Sequence, residues 1–229
     1  MADIYGMDFN ENVLNFLTNL EPIPAYPKNI NPRLHKVGNS SEVMVNIDDM
    51  FHVENVYNSF NDVPHREHLF LRAHAVELLL DAEKTLPEGF KFIIFDTHRN
   101  TSFQAKLLQH FVNENPELKE GFVSDPKDSA LVPPHTTGGT VDLSLKYKGK
   151  VLDLGTDYDS FESTAAIDSF EGTELMNSMP SLLRRVLYKA MTNVGFAPYP
   201  LEWWHWSYGD QWWAAFYNHP SSIYSSVEI

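Results

Sequence analysis

HTTGGTVDLSLKY, residues 135–147, is the stretch on which the fold of this chain turns. From Thr140 to Tyr147 its side chains alternate as in a β-strand. Lys148-Gly149 then predicts a tight turn into KVLDLG, residues 150–155, and so a hairpin. Asp142 interrupts the apolar run, and a carboxylate buried in a strand needs a partner. His135 precedes it, with Gly138 and Gly139 between the two. Glycine admits the sharp turn that lets a loop histidine and a strand aspartate meet at one point.

On the N-terminal side, KFIIF, residues 91–95, reads as a second short strand. Thr101 and Gln104 form a capping box for a following helix, whose inner face is Phe103, Leu107 and Phe111. Before it, Leu69, Ala73, Val76 and Leu80 predict a helix over 63–84, capped by Asp62, opened by Pro64 and stopped by Pro87 and Gly89. Residues 115–134 read as loop. On the C-terminal side a helix is expected over 180–193, with Leu183, Val186, Leu187 and Ala190 inward and Gly195 ending it. Residues 1–60 are rich in Asn, Asp and Pro and read as short elements wrapped on a core. The expectation is one domain over 1–229, with its working core in 61–229. Strands and helices are mixed along the chain, so the class is α+β, with a central antiparallel sheet flanked by helices.

Composition narrows the function. The 229 residues carry 17 basic and 31 acidic side chains, a net charge of −14. That disfavours nucleic acid and anionic membrane surfaces, which reward clustered Lys and Arg. No apolar run is long enough to span a bilayer, and no signal segment is visible at the N-terminus. There is no cysteine, which rules out disulfides, thiolate ligands and a cysteine nucleophile. A soluble, cytoplasmic protein is the expectation. Ser144 and Ser207 lack the glycine pattern of a nucleophile elbow, and no phosphate-cradling glycine loop is present.

Without thiolates, imidazole and carboxylate are the normal zinc ligands, and a catalytic zinc takes three of them. His135 and Asp142 are two candidates. The segment LEWWHW, residues 201–206, supplies His205, with Glu202 beside it as a possible base. In an ideal strand Glu202 and His205 face opposite sides, so either a bulge or turn lies between them or Glu202 reaches the metal through its water. His65, His68 and His74 crowd the helix predicted over 63–84 and read as solvated surface. The tryptophans around His205 read as packing.

Taken together the motifs resemble a known family. HTTGGTVDLSL is similar to the SxHxxGxAxD signature, and LEWWH to the ExWH signature, of the D-alanyl-D-alanine dipeptidases, the VanX-like members of the D,D-peptidase and Hedgehog-like zinc fold. FDTHRN, residues 95–100, resembles their WDGYRP segment. LDLGTDYDSFES, residues 152–163, resembles their MGxxFDxxDE stretch. The resemblance covers roughly residues 57–210. It implies one zinc per chain on His135, Asp142 and His205, with Glu202 as general base and later acid. It further implies Arg99 as oxyanion stabiliser, Asp159 as the anchor of a substrate ammonium, and a small peptide as substrate.

This chain departs from the family pattern at four places. Pro133-Pro134 stands where Ser-Ser is usual, His98 where Tyr is usual, Asn100 where Pro is usual, and Thr140 where a small residue is usual. The loss of a serine hydroxyl predicts relaxed selectivity for the second residue of a dipeptide. The leading expectation is hydrolysis of D-Ala-D-Ala or a related small dipeptide. A carboxypeptidase trimming peptidoglycan stems is the second, and a non-catalytic zinc-containing binding domain the third. Intact Glu202 and Arg99 count against the last.

Overall fold

The computed structural model describes residues 8–116 and 122–229. In chain order the elements are α1 (Glu11–Thr18), β1 (Met44–Asn46), β2 (His52–Val53), β3 (Phe70–Arg72), α2 (Ala73–Lys84), β4 (Phe90–Asp96) and α3 (Thr101–Glu114). There follow β5 (Thr140–Tyr147), β6 (Lys150–Val151), α4 (Met179–Asn193), β7 (Ala197–Tyr199), β8 (Glu202–Ser207) and α5 (Gln211–Phe216). The chain is α+β. The main sheet runs β2-β4-β5-β8-β7, with β6 paired to the end of β5. Its pairs are antiparallel except that β2 joins β4 in parallel. β1 and β3 form a separate antiparallel pair.

Strand β5 is the centre of this sheet, and the stretch 140–147 forms it to the residue. Lys148 (φ 46) and Gly149 (φ 85) both take positive φ, as a two-residue hairpin turn demands. Val141, Leu143 and Leu145 join the main apolar core with Phe92, Ile94, Val186 and Leu187. By alternation Asp142 and Ser144 face the opposite side of the sheet. α4 covers the core face, packing against α1, α2, β5 and β7. Its inward residues are those expected from the sequence, and Ser178 caps it by accepting from the Ser181 amide. Gly195, at φ 95, follows its end.

The predicted helix 63–84 is shorter. Residues 70–72 are drawn into a strand because β3 pairs with β1, Met44 opposite Arg72. The helix therefore begins at Ala73, with Arg72 at its N-cap and no side-chain cap. Asp62 instead meets the His110 ring at 2.7 Å. Leu69 is buried ahead of β3, and Ala75, Val76, Leu79 and Ala82, rather than Leu80, form the inner face of α2. His65 and His68 lie outside this helix; His68 meets Asp48, and His74 meets Glu77. The cap of α3 also moves by one residue. Asn100 accepts from the Phe103 amide, and Thr101 is the first helical residue. Of the expected loop 115–134, residues 117–121 lie outside the described residues, and the remainder before Pro134 forms no helix or strand.

Candidate metal and substrate site

Sheet register delivers half of the site. Asp96 of β4 lies opposite Asp142 of β5, which lies opposite His205 of β8. The pairing of β4 with β5 shifts between Ile94 and Asp96, so Phe95 is the extra residue of a bulge. Without it Asp96 would turn to the other face. On β8 the pairing with β7 jumps from Pro198↔Trp206 to Tyr199↔Glu202. That irregularity supplies the bend required between Glu202 and His205, whose Oε2 and Nδ1 atoms stand 3.6 Å apart. Trp203, Trp204 and Trp206 are buried in the core, so this strand serves packing and site together.

Loops deliver the other half. Pro133 and Pro134 introduce a single 3₁₀ turn, Pro134–Thr137, where the missing proline amide leaves no unpaired donor. The Pro133 carbonyl accepts from the Thr136 amide and hydroxyl, which fixes His135 between them. Gly138 ends the turn at φ +77. At Gly139 a Cβ would lie 2.0 Å from the Tyr208 carbonyl oxygen, so the close passage of β5 and β8 requires glycine. His135 Nδ1 pairs with the Thr97 carbonyl at 2.6 Å, which turns Nε2 toward Asp142. Thr140 donates to Asp210, which caps α5.

His135, Asp142 and His205 bring one ligand atom each to within 4.8 Å of one another, all buried, and form a group that could hold a metal ion. His135 Nε2 is 3.3 Å from Asp142 Oδ2, and His205 Nδ1 is 3.2 Å from Asp142 Oδ1. His135 Nε2 and Asp142 Oδ1 are buried with no hydrogen-bond partner. Orphaned atoms of this kind require an explanation, and a cation between them supplies it. Electrostatics agree. Burial pushes the Glu202 carboxyl well above its ordinary range, and the charges of Asp142 and Asp159 push it further. Burial, then Asp142, raises Asp159 to about 8. Burial would raise Asp142 as well, but the two histidines more than offset it and hold it low. Three carboxylates thus crowd one cleft, a situation that a divalent cation relieves.

Arg99 is buried and held on several sides. Its Nε donates to Asp96 at 2.5 Å, Nη1 to Gln104 at 3.1 Å, and Nη2 to the Tyr57 hydroxyl at 3.2 Å and Asp142 at 3.5 Å. Asp96 is shared with Arg66, and burial alone would raise it, but the two guanidinium groups keep it ionised. Asp159 sits at φ 59, a conformation rare outside glycine, and accepts from Tyr57 at 3.3 Å. Arg99, His135, Asp142, Asp159, Glu202 and His205 all line one cleft of about 440 Å³, its open mouth included.

Sequence reasoning missed Tyr57 and Tyr158. The Tyr158 hydroxyl donates to Asp142 Oδ2 at 2.9 Å and meets Tyr57 at 2.9 Å, linking the loop of Asp159 to the metal group. Tyr158 stands beside Asp159 in LDLGTDYDSFES, so its neighbourhood was visible although its hydroxyl's partner was not. Asn100 and His98, two of the departures, also find local uses: the first caps α3, and the second donates from Nε2 to the Val227 carbonyl, 2.8 Å away.

The family model described as D-ala-D-ala dipeptidase, within the M15 peptidases, matches residues 49–225, well over half of the chain. A D-alanyl-D-alanine dipeptidase of Synechocystis is 27% identical over 204 residues, covering 73% of this chain and 83% of the relative. Dipeptidases of the same name from Enterococcus faecium and Enterococcus faecalis are 25% and 29% identical, covering 60% and 54% of this chain and 71% and 64% of their own lengths. Among the described residues no helix is long and apolar enough to cross a membrane.

Proposed function

Since the chain belongs to the D-ala-D-ala dipeptidase family of peptidases, we propose that it hydrolyses D-Ala-D-Ala or a related small D-amino-acid dipeptide with one zinc ion on His135, Asp142 and His205. The observation that carries this reading is the pair of orphaned ligand atoms, His135 Nε2 and Asp142 Oδ1, beside a buried acid and a buried guanidinium. Zinc, when bound there, supplies Lewis acidity toward the scissile carbonyl and lowers the pKa of water.

The rest falls to side chains of this chain. Glu202 Oε2, 3.6 Å from His205 Nδ1, takes a proton from the attacking water and returns it to the leaving amine. Arg99, locked by Asp96 and Gln104, presents a fixed cation to the charge that develops on the carbonyl oxygen. Asp159 receives the substrate ammonium. Burial and the neighbouring Asp142 disfavour its charge, so a cationic group is a favourable partner. Pro133 and Pro134 line the cleft without a hydroxyl or an amide hydrogen, so selectivity for the second residue is relaxed.

The test is steady-state cleavage, with zinc, of D-Ala-D-Ala, D-Ala-Gly, L-Ala-L-Ala and an acetylated tripeptide stem. Free D-dipeptides are the expected best substrates. Preference for the acetylated stem overturns the dipeptidase reading in favour of a carboxypeptidase acting on peptidoglycan stems.

A further inference from the structure

His98 and the segment 222–229 remain outside the chemistry just described, yet they join its two loop-borne parts. Val227 is bonded on both sides. Its amide donates to the Thr136 carbonyl at 2.9 Å, and its carbonyl lies 2.8 Å from His98 Nε2. Thr136 is the residue after His135, and His98 the residue before Arg99. Ser226 Oγ meets Thr136 Oγ1 at 2.6 Å. Glu228 Oε1 accepts from the Thr101 amide at 3.0 Å and from its hydroxyl, at the start of α3. The two loops also touch directly: the Arg99 amide donates to the His135 carbonyl at 3.2 Å, and His135 Nδ1 pairs with the Thr97 carbonyl. Further back, Tyr224 is buried between Gly139 and Gly209 and donates to Glu42, which anchors the segment in the fold.

We propose that Ser226, Val227 and Glu228, held through His98, are positioning residues that clamp the His135 turn to the Arg99 turn. The inference rests on the roles assigned above to His135 and Arg99. Neither loop belongs to the sheet, so neither inherits its geometry from strand pairing. The His135 turn is one 3₁₀ turn, and Arg99 stands between the end of β4 and the first turn of α3. A segment that bonds both therefore fixes the separation between a metal ligand and the oxyanion cation. His98 is one of the places where this chain departs from the resembled family. Its ring is buried, and burial holds its pKa below the ordinary histidine range, which suits a neutral ring donating through Nε2.

The experiment compares the full chain with a variant lacking residues 226–229, with His98→Phe, which keeps a ring but has no donor, and with His98→Gln, which restores one. Zinc affinity is measured by competition with a chelator, amide hydrogen exchange in the zinc-free protein, and kcat and KM on D-Ala-D-Ala at saturating zinc. Removal of 226–229 and His98→Phe are expected to weaken zinc binding and lower kcat by about tenfold each, the range for outer partners of ligands, with KM little changed. Exchange at the Arg99 and Gly138 amides should quicken while the Phe92 to Ile94 amides keep their protection, and His98→Gln should recover part of the loss. Unchanged exchange at Arg99 together with wild-type zinc affinity overturns the clamp. So does equal loss of protection across the sheet, which marks general destabilisation. Should the shortened chain fail to fold, His98→Phe decides alone. A wild-type protein that neither holds zinc nor cleaves dipeptides refutes the function proposed above, whereas the exchange result in the zinc-free protein judges the clamp by itself.

Discussion

Asp142, Glu202 and His205 stand on strands, whereas Arg99, His135 and Asp159 stand on loops, and the two sets are held by different physics. Backbone pairing sets the first: Asp142 faces His205 because β5 and β8 pair there, and β4 continues the row with Asp96. Side chains and turn chemistry set the second: prolines and Thr136 hold His135, four acceptors hold Arg99, and Tyr57 holds Asp159. A pairing register is shared among many hydrogen bonds and tolerates the loss of one side chain. A turn resting on a few side-chain bonds does not. The strand set should therefore respond to substitution by losing chemistry alone, and the loop set by losing chemistry and order together.

The largest effect should come from the ligands. His205→Ala and His135→Ala should each abolish near-stoichiometric zinc and all activity. They should differ elsewhere. His135→Ala also removes the Nδ1 contact with the Thr97 carbonyl, so the Arg99 segment should lose amide protection. His205→Ala should leave that segment as it was, because β8 remains paired to β5 through its backbone. Metal analysis and hydrogen exchange on both variants check this. Equal zinc in either variant and the wild type removes that residue from the site.

One step smaller is the pair Glu202→Gln and Arg99→Ala. Glu202→Gln keeps shape and loses the proton acceptor, so kcat should fall roughly a hundredfold with zinc and melting temperature preserved. Arg99→Ala should lose about 3 kcal/mol of transition-state stabilisation, the range for one oxyanion donor. It should also lower the melting temperature, because Asp96, fully buried, would keep only Arg66 as a guanidinium partner. Parallel kinetics and thermal melts separate the two. An Arg99→Ala protein as stable as wild type would erase the distinction between strand and loop residues.

The same contrast explains how much was legible in the sequence. β5 could be bounded to the residue because alternation and a Lys148-Gly149 turn are local signals, and α4 to within one residue because its inward spacing survives packing. Asp142, His135 and His205 stood out as candidate ligands and Glu202 as a candidate base, beside glycines and tryptophans, and the family resemblance joined them with Arg99 and Asp159. The helix expected from residue 63 failed because pairing with β1 overrides helical spacing at Phe70–Arg72, and that partner lies at Met44–Asn46, far back in the chain. The bulge at Phe95 and the jump in β8 pairing leave no mark in periodicity, although the second was one of two ways to bring Glu202 and His205 to one site. Tyr57 and Tyr158 escaped because a tyrosine hydroxyl acquires meaning only from the acceptor that folding brings to it.

The smallest effect should be at Asp159, where the comparison is most easily broken. Its loop is held to the site by Tyr158 on Asp142 and by Tyr57, so Asp159 can be removed while the loop stays in place. If Asp159 meets the substrate ammonium, Asp159→Ala should raise KM for free D-Ala-D-Ala and leave kcat nearly unchanged. Acetylating the substrate amine removes the same interaction from the other partner. The wild type should therefore lose about tenfold more kcat/KM on acetylation than the variant does, an interaction energy of about 1.4 kcal/mol. A loop that had merely collapsed would weaken both substrates alike and give no such interaction. A loop residue behaving in this way would act through one contact, as proposed for Glu202 on its strand, and the division between strand and loop would then describe how residues are held rather than how they work. Additive effects of the substitution and the acetylation would leave Asp159 a turn residue at positive φ with no hold on the substrate.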